Sequence, residues 1–357
     1  MSACRGRRYS DRRSSMRDVT LGKTGITVKQ NAFGALPIQR LDTDQAVAIL
    51  RRAYEGGMRY FDTARAYSDS EEKMGIAFDG MRDKIYIATK TMARTPEDFW
   101  KDLETSLKML RTDYIDVYQF HCVDQCYRPG DGSGMYECML EAREQGKIRH
   151  IGVTAHKIKV AFELVESGLY ETMQFPFSYL SGDQELELVK ACAEHHVGFV
   201  CMKGLAGGLI TNSVAAMAFT GQYENALPIW GIQKEKELDE WLSYMEDTPA
   251  YTEEIRAFVE EERRKLAGNF CRGCGYCEPC PAGITIHQCA RMSLMIRRAP
   301  SAAWLNDYWQ KEMEKIEGCL HCNQCKSHCP YELDTPRLLM ENLEDYRRVL
   351  AGQISVD

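Results

Sequence analysis

No run of about 18 or more apolar residues occurs in the chain, which excludes a membrane-spanning helix on sequence grounds. The opening stretch MSACRGRRYSDRRSSMR is rich in Arg and Ser and lacks the apolar core of a secretory leader. Residues 1–17 read as a disordered basic tail, or as sequence ahead of a true start at Met16. An excess of positive charge is missing too. Lys and Arg number 45 against 52 Asp and Glu, and the net charge of −7 argues against nucleic acid as a partner. No internal repeat shows beyond alternating strand and helix units. Cysteine, by contrast, is plentiful: 15 occur without an export signal. A cytoplasmic location is therefore expected, where clustered thiols point to metal rather than disulfides.

Between residues 18 and 248 short apolar runs alternate with amphipathic stretches. Strands are expected near 28–33 and at 59–62, 84–89, 114–120, 149–153, 171–175, 198–202 and 227–230. Helices are expected near 44–56, 70–79, 96–110, 134–145, 156–167, 184–196 and 234–246. Such alternation demands parallel strands joined by helical crossovers. Eight units in this length fit a closed (β/α)8 TIM barrel. An open doubly wound sheet would carry a glycine-rich phosphate turn after its first strand, and NAFGA at 31–35 is not one. Residues 249–267 read as a charged linking helix and 268–335 as a small, mainly helical ferredoxin-like unit. The stretch 336–357 reads as a closing helix, opened by Pro336, and a tail.

The cysteines carry the sharpest signal. Cys271, Cys274, Cys277 and Cys280 are spaced by two residues, with Pro281 next; Cys319, Cys322, Cys325 and Cys329 follow the same pattern with three residues before the last, and Pro330 next. Three thiolates at that spacing wrap one loop around a cube face, and the fourth, before Pro, serves the other cluster in two-cluster ferredoxins. Cys271, Cys274, Cys277 and Cys329 would then hold one [4Fe-4S] cluster, and Cys319, Cys322, Cys325 and Cys280 the second. A pair of zinc sites is the alternative, but zinc modules favour separated cysteine pairs. Cys289 reads as a buried thiol, and His287, His321 and His328 as loop or surface residues.

Active sites of such barrels gather where strands end. Asp62 ends RYFD, Lys90 ends KIYIATK, His121 follows YIDVYQF, and Tyr67 lies in the loop after Asp62. Together they suit carbonyl reduction. Hydride arriving at a carbonyl carbon leaves charge on oxygen, which needs a proton. Tyr67 is the expected donor, strengthened by the Lys90 ammonium, with Asp62 holding Lys90 and neutral His121 bonding the oxygen.

The segments LGKTGITV (21–28), FDTARAYSDSEEKMG (61–75), IATK (87–90) and LKMLRTDYIDVYQFH (107–121) resemble the aldo/keto reductase superfamily, with all four residues of its tetrad matched. The double cysteine motif is similar to its iron-sulfur-containing subgroup. The resemblance implies NADPH or NADH extended across the barrel mouth, with a small carbonyl or alcohol as substrate. It implies Thr154, Gln174 and Phe177 at the nicotinamide. It also implies Gly34, Gly231, Gln233 and Lys234, with the loop Lys203, Gly204, Leu205 and Gly207, along the rest of the dinucleotide. Thr154-Ala155 stands where the family has Ser-Asn. Glu237 and Trp241 stand where it offers a cation to the 2'-phosphate and Asn to adenine.

Two functions follow. The first is an NAD(P)H-dependent oxidoreductase carrying two clusters. The second is an electron-transfer protein, with a redox partner protein, whose barrel is a docking or substrate-binding scaffold. Nicotinamide moves two electrons as hydride whereas a [4Fe-4S] cluster passes one, and no flavin motif bridges them.

Overall fold

The computed structural model describes residues 15–266, 270–273, 275–298, 301–329 and 331–356. Cys274 and residues 1–14 of the basic tail lie outside them. Among the described residues no helix is long and apolar enough to cross a membrane.

Eight strands close a parallel barrel: β3 (Ala32–Gly34), β4 (Tyr60–Asp62), β5 (Tyr86–Thr91), β6 (Ile115–Phe120), β7 (Ile148–Thr154), β8 (Thr172–Pro176), β9 (Gly198–Met202) and β10 (Ala226–Gly231), which returns to β3. Helices α1 (Thr43–Glu55) to α8 (Glu235–Glu246) cover its outside. Before the barrel, β1 (Asp18–Thr20) and β2 (Thr27–Lys29) form an antiparallel hairpin. Its Val19, Leu21, Ile26 and Val28 share one buried cluster with Tyr60, Ala88, Val117, Val200 and Leu227 inside the barrel. The hairpin therefore plugs the barrel floor.

The two-residue period of a strand sorts side chains between this inner cluster and the outer layer. Tyr60, Ala88, Val117 and Val200 point in, whereas Phe61, Ile87, Tyr118, Phe120, Phe199 and Cys201 join the layer under the helices. One step further along the inward face come Asp62, Lys90, Gln119 and Met202. Strand parity alone thus delivers polar groups to the mouth.

Two expectations need correction. The single strand expected near 28–33 is split: Thr27–Lys29 belongs to the floor hairpin and Ala32–Gly34 to the barrel. Met16, assigned to the tail, is 1% exposed in the barrel core, its N–H donating to Met245 O at 3.1 Å. The helix α7 (Ser213–Thr220) was not anticipated. It is capped by Asn212 and buried nearly all round, so it has no polar face to show a helical period.

Helix α9 (Glu253–Lys265) packs on the barrel rather than spanning a gap. Val259 is in the core, and Arg263 donates to the carbonyl oxygens of Tyr179 and Ser181. Beyond it, five helices, α10 (Ile286–Cys289), α11 (Met292–Arg298), α12 (Asp307–Glu314), α13 (Gln324–Ser327) and α14 (Thr335–Leu350), gather round a second core. Leu339, Leu343 and Tyr346 of α14 meet Ile286, Met292, Ile296 and Met313 there, together with Cys271, Cys277 and Cys325. Pro336 lies in the first turn of α14, where its missing N–H costs nothing.

Candidate active site and cluster loops

Lys90 is the centre of the barrel mouth. Its ammonium donates to Asp62 Oδ1 and to Thr63 O, both at 2.6 Å, and is almost completely enclosed. Asp62 is bonded further by the amides of Gln119 and Gln174, each at 3.4 Å, and Gln119 Nε2 donates to Gln174 Oε1 at 3.1 Å. Burial raises the Asp62 carboxyl above the usual range, while Lys90 and the two amides pull it back down.

Lys90 Nζ lies 5.3 Å from the centre of the Tyr67 ring, and the Tyr67 and His121 rings meet edge to face at 5.8 Å. The structure therefore brings the acid, amine, phenol and imidazole to one rim. The loop carrying Tyr67 is pinned from both ends. Arg65 N donates to Lys90 O at 3.0 Å, and the Arg65 side chain pairs with buried Glu71, whose other oxygen accepts from Thr89 at 2.6 Å. Ser70 is hydrogen-bonded to Thr63 at 2.8 Å and donates to Ala35 O at 2.9 Å.

Two electrostatic findings refine the expected chemistry. The Tyr67 phenol is pushed far up by burial, then by Asp62 and Cys122, so it is not acidified. In the resting protein the Lys90 ammonium, 5.3 Å from the ring centre, does not reverse that rise. The phenol is fully protonated at neutral pH, as a proton donor must be. Burial, Lys90 and Arg94 lower His121 to about 3, which keeps the imidazole neutral. Its Nδ1 and Gln119 Oε1 are buried with no hydrogen-bond partner among the described residues. Such orphans suit a bound polar ligand.

The expected dinucleotide residues divide. Thr154 and Gln174 are register partners on adjacent strands, both buried at the mouth, and Thr154 Oγ1 accepts from Cys122 N at 2.8 Å. Phe177 is misplaced by the sequence reading. It continues the parity of Met173 and Phe175, faces the outer layer, and packs on Phe199, Phe219 and Tyr223 at 1% exposure, so it offers no face to nicotinamide. Gly34 is packed on the β10 backbone, where an added Cβ would lie 3.2 Å from Trp230 O. Gly204 lies under the Trp230 ring, and Leu205 and Lys203 are half-buried in the loop after β9.

Gly231, the exposed last residue of β10, leads to Gln233 and Lys234, whose backbone N–H groups both donate to Glu237 Oε2, at 3.0 and 3.1 Å. This carboxylate occupies the start of α8, where a phosphate would otherwise be welcome. Trp241 stacks on Trp230 at 3.9 Å in the buried outer layer.

The eight cysteines sort by loop, and seven of them are described. Cys277, Cys280, Cys319, Cys322 and Cys325 line one small apolar pocket, and Cys271, Cys277 and Cys329 line another, so that Cys277 borders both. Each pocket thus takes cysteines from both runs, and a donor set of this kind fits [4Fe-4S] groups. Among the described residues no three ligating side chains close around a single ion. Cys289 is fully buried with its thiol pushed up to about 12 by burial, away from either pocket.

The cluster unit sits on the barrel mouth. Arg291 is 5% exposed, lies between Gly207 of the loop after β9 and Gly273 of the first cysteine loop, and donates to Ala206 O at 3.4 Å. A Cβ at Gly207 or Gly273 would come within 2.6 or 2.7 Å of its Nη1. Tyr276, also from that cysteine loop, reaches His156 after β7, with Oη 3.0 Å from Nδ1. Gln119, His156, Tyr276 and Arg291 were not singled out as site residues. Gln119 was legible as an inward polar residue beside His121. The other contacts join segments too far apart in the chain to be paired by spacing.

Comparison with known proteins decides the family. The Aldo/keto reductase family model matches residues 31–221, and a 4Fe-4S dicluster domain matches residues 270–334. The chain belongs to the aldo/keto reductase family. An uncharacterized oxidoreductase of Bacillus subtilis, YrpG, is 31% identical over 222 residues, covering 53% of this chain and 67% of that one. Methylglyoxal reductase DkgB of Salmonella typhi is 35% identical over 186 residues, 48% of this chain and 66% of that protein. The chain spans 64% of another relative, the aldo-keto reductase AFTS1 of Alternaria alternata, at 27% identity. An aldo-keto reductase of Klebsiella pneumoniae in complex with NADPH shares the fold at a TM-score of 0.59 and 20% identity, over 70% of this chain and 95% of that one.

Proposed function

We propose that this aldo/keto reductase transfers hydride between a nicotinamide dinucleotide and a small carbonyl or alcohol at the barrel mouth, with Tyr67 as the proton donor, and that its tail holds two [4Fe-4S] clusters. The observation that carries the reading is the enclosed Lys90 ammonium on Asp62, with the Tyr67 and His121 rings beside it. A bound nicotinamide supplies the hydride. Thr154 and Gln174 would hold its reacting end, and the orphaned Gln119 Oε1 is a further acceptor there. Neutral His121 orients the carbonyl oxygen, and Tyr67 gives it a proton as charge develops. Lys90, fixed by Asp62, stabilises the phenolate left behind. The similarity to a methylglyoxal reductase makes methylglyoxal a sensible first substrate, and the NADPH complex of the Klebsiella neighbour supports a dinucleotide at this mouth.

The test is turnover by anaerobically prepared protein with NADH or NADPH over a carbonyl panel that includes methylglyoxal. Tyr67→Phe is expected to lower it roughly 100- to 10,000-fold without changing dinucleotide affinity. Undiminished turnover in that variant would overturn the mechanism.

A second reading, electron transfer with the barrel as a binding scaffold, is favoured by Glu237 at the start of α8 and by the burial of Phe177. Dinucleotide binding without turnover across the panel would select it.

A further inference from the structure

His156 stands between the two halves of the molecule, and neither the tetrad nor the clusters use it. It is 5% exposed. Its Nδ1 faces the Tyr276 hydroxyl at 3.0 Å and the Cys122 sulfur at 3.7 Å, and its ring meets that of Tyr276 edge to face at 5.0 Å. Its Nε2 is buried with no hydrogen-bond partner among the described residues. The phenol and the thiol on Nδ1 both have a proton to give, which makes Nδ1 the acceptor and leaves the ring proton on Nε2. Burial first, and then the charge of Lys203 at the mouth, keep the ring neutral. The outcome is an enclosed N–H donor with no acceptor among the described residues, a state that stays unfavourable until an acceptor arrives.

We propose that His156 is a ligand-binding residue of the barrel mouth, donating from Nε2 to a carbonyl oxygen, and that Tyr276 of the first cysteine loop is the positioning residue that sets its tautomer. The acceptor is the substrate carbonyl or the nicotinamide carboxamide, which present the same chemistry. The cluster-bearing unit thereby contributes to the substrate site through a side chain rather than through its iron.

The inference rests on the reading of the mouth as the reaction site, so the experiment has an arm independent of turnover. Holoprotein labelled with 15N-histidine, in wild-type and Tyr276→Phe forms of equal iron content, is compared by NMR. Wild type is expected to hold His156 as the Nε2–H tautomer, and Tyr276→Phe to shift it toward a mixture. With methylglyoxal as probe, His156→Ala is expected to raise KM, or the Kd for NADH and NADPH if the carboxamide is the acceptor, roughly 3- to 10-fold, the worth of one hydrogen bond. His156→Gln, which keeps a donor, is expected to recover most of that loss, whereas a packing role would lower Tm in both variants with neither KM nor Kd altered. An Nδ1–H tautomer in wild type, or unchanged KM and Kd in His156→Ala, would overturn the proposal. Absence of all turnover would sink the reductase reading alone, since the tautomer and the Kd are still measured.

Discussion

Lys90 Nζ sits 2.6 Å from Asp62 Oδ1 with both side chains at 3% exposure or less. A buried pair of this kind is weak evidence for net stability, but removing one partner strands the other charge. Asp62→Ala is therefore expected to destabilise the barrel by about 3–5 kcal/mol, as read by urea denaturation. A loss below about 1 kcal/mol, the range of an exposed ion pair, would show that Lys90 is not enclosed in solution.

His121 and His156 are both held neutral by burial, His121 down to about 3. An unfolded histidine titrates near pH ~6.5, so below that the unfolded chain binds more protons than the native one. Stability should then fall as pH drops from about 6.5 toward 3, and these two groups should contribute no slope above about 7. Denaturation at a series of pH values checks this, with a flatter profile expected for His156→Gln. The rate of carbonyl reduction should show no histidine limb between about pH 5 and 8. A limb there that vanishes in His121→Gln would contradict a neutral imidazole.

Glu237 accepts from two backbone N–H groups at the start of α8. Its charge opposes a 2'-phosphate, so NADH should be preferred to NADPH. Glu237→Gln keeps an acceptor oxygen and removes the charge, and should move the NADPH-to-NADH affinity ratio upward by roughly two- to fivefold, the size of one partly screened charge. Fluorescence titration with both nucleotides decides it, and an unmoved ratio would place the 2'-phosphate elsewhere.

The pockets mix cysteines from the two runs, with Cys280 among Cys319, Cys322 and Cys325. Cys280→Ser should therefore damage the same cluster as Cys322→Ser, and Cys329→Ser the same cluster as Cys271→Ser. Iron content and the spectra of the reduced clusters in the four variants would reveal the grouping. If Cys280→Ser instead resembled Cys271→Ser, each run would serve its own cluster.

How far the sequence speaks depends on the range of the interaction. Asp62, Lys90 and Gln119 are each one strand step beyond an inward apolar residue, so parity within a single strand is enough to place them. The family resemblance puts Phe177 at the nicotinamide, whereas the same parity sends it outward with Met173 and Phe175. Helix α7 escaped because burial on all sides erases the amphipathic pattern. The contact of Tyr276 with His156 spans 120 positions, and that of Arg291 with Ala206 spans 85. Neither has a local signature, because docking of two separately cored units decides them. The cysteine spacing, in contrast, is a short-range demand of the cluster itself and was readable throughout.

The β1–β2 hairpin has a kinetic corollary. With its apolar side chains stoppering the lower end, everything that visits Lys90 must come and go by the upper rim, and the iron-binding half already occupies the arc above β7 and β9. Under the proposed reductase reaction, two reactants sharing that one entrance would favour compulsory-order kinetics, with the larger molecule first in and last out.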